Sequence, residues 1–229
     1  MRRADLAEDA YRAALADWER GEGHGRLPRL FRARWLDAFT RTPWWTPYAA
    51  GLPLAAIALG VAAADGLDLD APATWAALPF GALSWSFLEY ALHRFVFHAR
   101  ARSETARIAL FLAHGHHHAD PSDRSRLAAT PVQLGSALLL LFGACDLAFE
   151  DAATWLAFAS ALLAYVAYEA VHYAAHFGRP ESPWLRALRR HHLAHHHLDP
   201  RSRWGIGTPL WDWVLGTRGA PARSAPPGD

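Results

Sequence analysis

The sequence predicts an all-α, polytopic membrane protein: four transmembrane helices in two hairpins, with a cytoplasmic helical cap that holds a histidine-rich dimetal centre. Three observations carry this prediction. Four apolar stretches, at roughly 47–65, 74–92, 132–149 and 152–171, each approach the ~20 residues that a helix needs to cross a bilayer. All 23 basic residues are arginines, and they fall only in 1–41, 94–126 and 179–223. Of the 14 histidines, all but His24 fall in four clusters.

Taken in order, residues 1–45 read as cytoplasmic or interfacial amphipathic helices. Over 4–20, Tyr11, Leu15 and Trp18 share one side, and Glu8 and Arg12 form an i,i+4 pair on another. Gly21 to Gly25 breaks that helix. Over 26–40, Phe31, Trp35 and Phe39 recur at helical spacing among Arg26, Arg29, Arg32 and Arg34. Such a stripe suits either a helix lying on a bilayer surface or one packed on its own domain.

Residues 46–218 hold the four spans and the clusters. Trp44, Trp45, Trp75 and Trp155 sit near span starts, where interfacial aromatics anchor. Pro53 and Pro79 fall inside spans, which membrane helices tolerate. The connections near 66–73 and 146–153 are acidic and free of arginine. The positive-inside rule therefore puts the arginine-bearing segments, and every histidine cluster, on the cytoplasmic side, as in a bacterial inner membrane. Ser182-Pro183 has N-cap and N1 chemistry for a helix running to His197. Residues 219–229, rich in Pro, Gly and Ala, read as a disordered tail. A net charge of +1 argues for no nucleic-acid partner, and the single Cys145 excludes an intrachain disulfide and a cysteine-based metal site. No signal-peptide pattern opens the chain.

The clusters carry the chemistry. His114, His117 and His118 have i, i+3, i+4 spacing, as do His192, His195 and His196, which puts three imidazoles on one helix face. His172 and His176 share a face at i, i+4. His93 and His98, five apart, need a helix end or a change of direction between them. Ten spaced imidazoles exceed what one metal takes and suit two, which leaves His116, His191 and His197 as extras. Without metal, so many partly desolvated rings would be costly to gather. Glu89 and Glu169, inside apolar spans and a turn or less before a histidine, are candidates to accept the free N–H of a ligand imidazole. Imidazole suits zinc, iron, copper and nickel alike, so ligand type does not choose the metal.

These residues resemble the membrane fatty acid hydroxylase superfamily, which carries HxxxxH, HxxHH, HxxxH and HxxHH blocks, and within it the fatty acid 2-hydroxylase branch. The likeness rests on Glu89-Tyr-Ala-Leu-His-Arg-Phe-Val-Phe-His98, on His114-Gly-His-His-His-Ala-Asp-Pro-Ser-Asp-Arg-Ser-Arg-Leu127, and on Gly205-Ile-Gly207 with Trp211-Asp212. It covers about 80–216. The resemblance implies a four-span fold with a cytoplasmic cap. It also implies O2-dependent hydroxylation of a fatty acyl chain at carbon 2, two iron ions as the working metals, and the ten spaced histidines as their ligands. Zinc in a structure would read as a replacement for iron. Residues 1–45 are too short for the cytochrome b5 domain that many relatives carry, so electrons are expected from a separate donor. Thr130 stands where a proline is usual, and Glu169 where an aspartate is common. Chemistry agrees: an alkyl C–H bond has no acidic proton and no leaving group, so breaking it calls for a redox metal and O2.

Three other functions compete. A sterol or carotenoid oxygenase would share the chemistry and differ in product. A histidine-rich metal transporter would place its site near the bilayer midplane on broken helices, whereas these clusters lie at span ends. A zinc hydrolase would use a metal-bound water and need no O2.

Overall fold

A computed structural model describes residues 8–20, 27 and 29–219. His24 and nearly all of the expected tail lie outside them. The regular structure of the described residues is helical: α1 (Glu8–Arg20), α2 (Arg34–Ala38), α3 (Thr46–Ala64), α4 (Pro72–Ala91), α5 (Glu104–Leu110), α6 (His116–Ala119), α7 (Pro131–Ala148), α8 (Asp151–Phe177), α9 (Pro183–His197) and α10 (Leu210–Val214).

Three described helices, α3, α7 and α8, are long and apolar enough to cross a membrane, with mean hydropathies of 1.6, 1.5 and 1.4. The fourth expected span coincides with α4, which is 20 residues long. Trp75, Pro79, Ser84, Ser86 and Glu89 dilute its apolar character, and it falls outside that set.

The central element is α8. α3 and α4 both lie along it, and α7 packs on α4 and α8. The contacts are made by small residues: Ala55 and Ala58 of α3 meet Ala159 and Leu162, while Ala62 and Ala77 meet Leu156 and Ala157. Small side chains let helix backbones approach closely, as they do between membrane helices. Gly81 of α4 is the tightest point, where a Cβ would stand 2.0 Å from the Ala157 carbonyl oxygen. Outward faces stay apolar, with Leu139 74% and Leu147 91% exposed, an exterior suited to lipid.

Helix starts follow local chemistry. Thr130 caps α7: its hydroxyl receives the Gln133 N–H, and the Gln133 amide oxygen receives the Thr130 N–H at 2.9 Å. Pro131 takes N1. Ser182 takes the N-cap position of α9, but its side chain makes no capping bond, and Pro183 at N1 carries the start.

The N-terminal part departs from expectation in one place. α1 forms as predicted, and Ala14 and Leu15 bury against Ile108, Phe111 and Ala119, with Trp18 edge-on to Phe111. This face covers the histidine segment rather than a bilayer. Among the described residues of 26–40 the chain makes only the five-residue α2. The buried Asp37 carboxylate receives the N–H groups of Leu30 and Phe31, at 2.7 and 3.4 Å, which folds the preceding residues back instead of continuing a helix. Phe31 is buried, whereas Trp35 and Phe39 are exposed.

Candidate metal centre

Two π-helical turns set the first two clusters. A π turn closes i→i+5 bonds and so carries one residue more than an α turn. Leu92–Phe97 continues α4 in this form, and the His98 N–H donates to the His93 carbonyl at 3.2 Å. That is the change of direction the five-residue spacing requires, and it brings the His93 and His98 rings to 5.1 Å. Phe111–Gly115 is a second π turn, leading into α6 with His116, His117 and His118. The last turns of α8 present His172 and His176, and α9 presents His192, His195 and His196.

The rings converge in two groups. His93, His98, His114, His118 and His195 bring one nitrogen each to within 4.8 Å of one another, and so do His117, His172, His176 and His192; each group could hold a metal ion. His196 joins them: its ring stacks on His118 at 4.2 Å, and its Nε2 is 3.1 Å from that of His192. All ten spaced histidines are thus brought together, and the extras separate from them. His191 bonds Asp212 at 2.9 Å, His197 is exposed, and His116 lies beside the centre in neither group.

The geometry fits cations. His93 Nδ1 is 2.6 Å from the Trp204 carbonyl oxygen, and His195 Nδ1 is 2.7 Å from that of Ser202. A carbonyl only accepts, so each Nδ1 carries the hydrogen and each Nε2 keeps its lone pair. His93 Nε2 nevertheless lies 3.1 Å from His114 Nε2, and His118 Nε2 lies 3.0, 3.1 and 3.2 Å from those of His114, His98 and His195. One hydrogen on His118 could bridge to one of these three, leaving the others lone pair against lone pair. A cation removes the conflict: nitrogens about 2.1 Å from a shared ion stand about 3 Å apart. In the second group the Nε2 pairs His172–His117 and His176–His192 are 3.3 and 2.7 Å apart. Burial pushes the His93 imidazole down to about 4 and holds His114, His117, His118, His192, His195 and His196 well below 6.5, with neighbouring imidazoles adding to the effect in all but His93. These rings are neutral at pH 7, the form that binds metal.

The carboxylates act differently from expectation. Among the described residues Glu89 accepts no imidazole N–H. It receives the backbone N–H groups of Ile206 and Gly207, at 2.5 and 2.9 Å. Glu169 is buried facing the Ala129 N–H and the Tyr165 hydroxyl. Both are one step further from the rings than the sequence reading put them. The residue that reading left without a role is Asp212. Fully buried, its carboxylate receives the N–H groups of Trp204 and Gly205 at 2.9 and 2.8 Å, the Thr217 hydroxyl at 2.7 Å, and His191. Asp212 and Glu89 together hold the 202–207 loop, whose Ser202 and Trp204 carbonyls orient His195 and His93. Glycine is needed in this loop, since a Cβ on Gly205 would stand 2.1 Å from the Thr208 carbonyl oxygen. The signal in the sequence was the Gly205-Ile-Gly207 and Trp211-Asp212 pattern, which spacing alone does not interpret.

Two cavities flank the rings. One, of about 300 Å3, is apolar and runs from His93, His114, His117 and His172 past Tyr168 and Glu169 to Val132, Ser136, Ala137 and Leu140 of α7. The other, of about 770 Å3, is polar and reaches His98, His118, His196 and Trp204.

The chain is thus helical, with apolar, lipid-suited helices and paired histidine groups, each able to hold a metal ion, beside an apolar cavity. Comparison with known proteins goes further. The fatty acid hydroxylase family model matches residues 78–217. A dihydroceramide fatty acyl 2-hydroxylase of Arabidopsis thaliana is 36% identical over 190 residues, which is 83% of this chain and 79% of the relative. The human fatty acid 2-hydroxylase is 37% identical over 140 residues, 60% of this chain and 38% of the relative. The solved hydroxylase domain of full-length Scs7p superposes with a TM-score of 0.78 at 29% identity, covering 92% of this chain and 81% of that one. The chain belongs to the fatty acid hydroxylase family, whose members are oxidoreductases.

Proposed function

We propose that this protein is an O2-dependent di-iron hydroxylase that places a hydroxyl group on carbon 2 of fatty acyl chains. The observation that carries the reading is the contact between two histidine groups and an apolar cavity. The relatives named above, fatty acyl 2-hydroxylases, support the position of attack. His93, His98, His114, His118 and His195 would hold one iron; His117, His172, His176 and His192 the other, with His196 beside both. Iron supplies the redox chemistry with O2 that an unactivated C–H bond demands.

The overall change breaks one C–H bond, inserts one oxygen atom as C–O–H and releases the other as water. It consumes two electrons, which a separate donor supplies, and two protons, which come from water. In this reading residues 46–218 form the catalytic membrane domain. α4 is a fourth span beside α3, α7 and α8, and the histidine-bearing segments form a cap on the cytoplasmic side of a bacterial inner membrane. The acyl chain enters from lipid past Val132 and Leu140 and lies in the apolar cavity. Leu92, Val96, Leu134 and Ala137 exclude water from it, and the His93 and His172 edges line the end where carbon 2 must sit. The 202–207 loop keeps the His93 and His195 lone pairs aimed inward.

The test is lipid mass spectrometry of cells expressing the protein, with metal analysis of the purified protein. The expected outcome is acyl lipids 16 mass units heavier, with the new hydroxyl at carbon 2, and close to two irons per chain. Iron-loaded protein that yields no oxygenated acyl product, or oxygenates only sterols or carotenoids, overturns it.

A further inference from the structure

The two cavities share no lining residue. His93, His114, His117 and His172 face the apolar one; His98, His118 and His196 face the polar one. The imidazoles therefore form a wall between them, and a molecule in one does not extend into the other. Electrons pass through such a wall without any atom crossing it. We propose that the polar cleft is the docking site for an acidic one-electron carrier protein, a proposal that rests on the hydroxylase reading.

Charge and position support this occupant. Four arginines line the cleft, Arg20, Arg100, Arg107 and Arg201, against two carboxylates, Glu19 and Asp199. Arg107 pairs with Glu19 at 2.5 Å and Arg20 with Asp17. The exposed Arg100 and Arg201 remain at the mouth, and among the described residues neither side chain forms an ion pair. Beside them Leu198 is 68% exposed, an apolar contact at the rim. The floor is Trp204, whose buried ring lies 4.8 Å from His98, 5.1 Å from His195 and 5.5 Å from His93. A carrier seated on the arginines would bring its redox group over an indole in contact with three rings of one group. Hydroxylation needs two electrons per turnover, and the single Cys145 cannot build an iron–sulfur relay within this chain. A positively charged rim steers an acidic partner and makes association depend on salt.

The experiment measures binding of a soluble, acidic cytochrome b5 haem domain to the iron-loaded protein in detergent at 50 and 300 mM NaCl. Arg100→Glu combined with Arg201→Glu should weaken binding about tenfold or more at low salt, as should the higher salt for the unaltered protein. Arg186→Glu, on the exposed side of α9 and away from the cleft, should leave binding unchanged. Metal content and melting temperature of the double variant should match the parent, which shows that the fold is retained. Equal, salt-independent affinity in parent and double variant overturns the proposal, as does a double variant that loses adhesion to phosphatidylserine vesicles but keeps its affinity for the haem domain. Chemically reduced parent protein separates the two readings. Product without salt-sensitive docking sinks only the docking surface, and no product on chemical reduction sinks the hydroxylase.

Discussion

The Nδ1 atom of His93 and the carbonyl oxygen of Trp204 stand 2.6 Å apart, across 111 positions of sequence. A backbone atom on a distant loop thereby decides which nitrogen of His93 faces the histidine group. The loop is held in turn by Asp212 through the N–H groups of Trp204 and Gly205. Asp212→Ala should therefore weaken metal binding about 10–100-fold without removing a ligand. Metal retained after dialysis against graded chelator checks this, and full retention would show that the loop stands without its carboxylate.

The two groups should empty separately. His172→Ala removes one of four nitrogens from the second group and none from the first. Iron per chain should fall from about two toward one, the stoichiometry expected of two independent imidazole sites. His197→Ala, at an exposed position outside both groups, should leave both sites filled. Elemental analysis of purified variants reads out both.

Acid should destabilise the metal-free protein. Burial lowers the folded-state His93 value to about 4, below the 6.5 of the ordinary group. Between these values the unfolded chain binds a proton that the folded chain does not, so the His93 contribution to stability falls as pH drops from 6.5 toward 4 and levels off below. His93 alone contributes on the order of 3 kcal/mol to that loss. Thermal unfolding of apo-protein in detergent should show a midpoint that declines through this window, whereas the iron-loaded protein, its ring nitrogens occupied, should decline less.

Gly81→Leu should damage the bundle. Any Cβ there meets the Ala157 carbonyl oxygen, and backbone cannot swing aside as a side chain can. The cost should be about 3 kcal/mol, the upper end of overpacking in a close-packed interior. Gly60→Leu, where a Cβ meets nothing within 4 Å, is the matched control. Melting temperatures of the two variants give the comparison.

The apolar cavity should set acyl length. Ala137 lines it two turns along α7 from Pro131, beside Trp85 and Tyr165. Ala137→Trp should fill that end and shift hydroxylated products toward shorter chains. An unchanged chain-length profile would place the tail elsewhere.

The sequence announced much of this. Apolar length located α3, α4 and α7 to within two residues and the start of α8 to within one, because apolar length is a local property, while α8 runs six residues past the expected end to Phe177. The triplets at His114 and His192 marked rings that the fold gathers, but each divides between the two groups, His117 from His114 and His118, and His192 from His195, and His114 sits in a π turn. What escaped were relations between distant segments. Nothing in the neighbourhood of Asp212 says that its partners are the Trp204 and Gly205 amides. Nothing near Glu89 says that it holds a loop 117 residues away rather than an imidazole. The stripe Phe31, Trp35, Phe39 has helical spacing, yet Asp37 captures the amides a helix would have used.

The π turn between His93 and His98 makes their spacing a property of helix type rather than of distance. Wound as an ordinary α-helix at about 100° per residue, the same two residues would stand about 140° apart around the axis, and His98 would face away from His93. A chain that kept both histidines five apart but lost the π turn would therefore have the right letters and a broken cage.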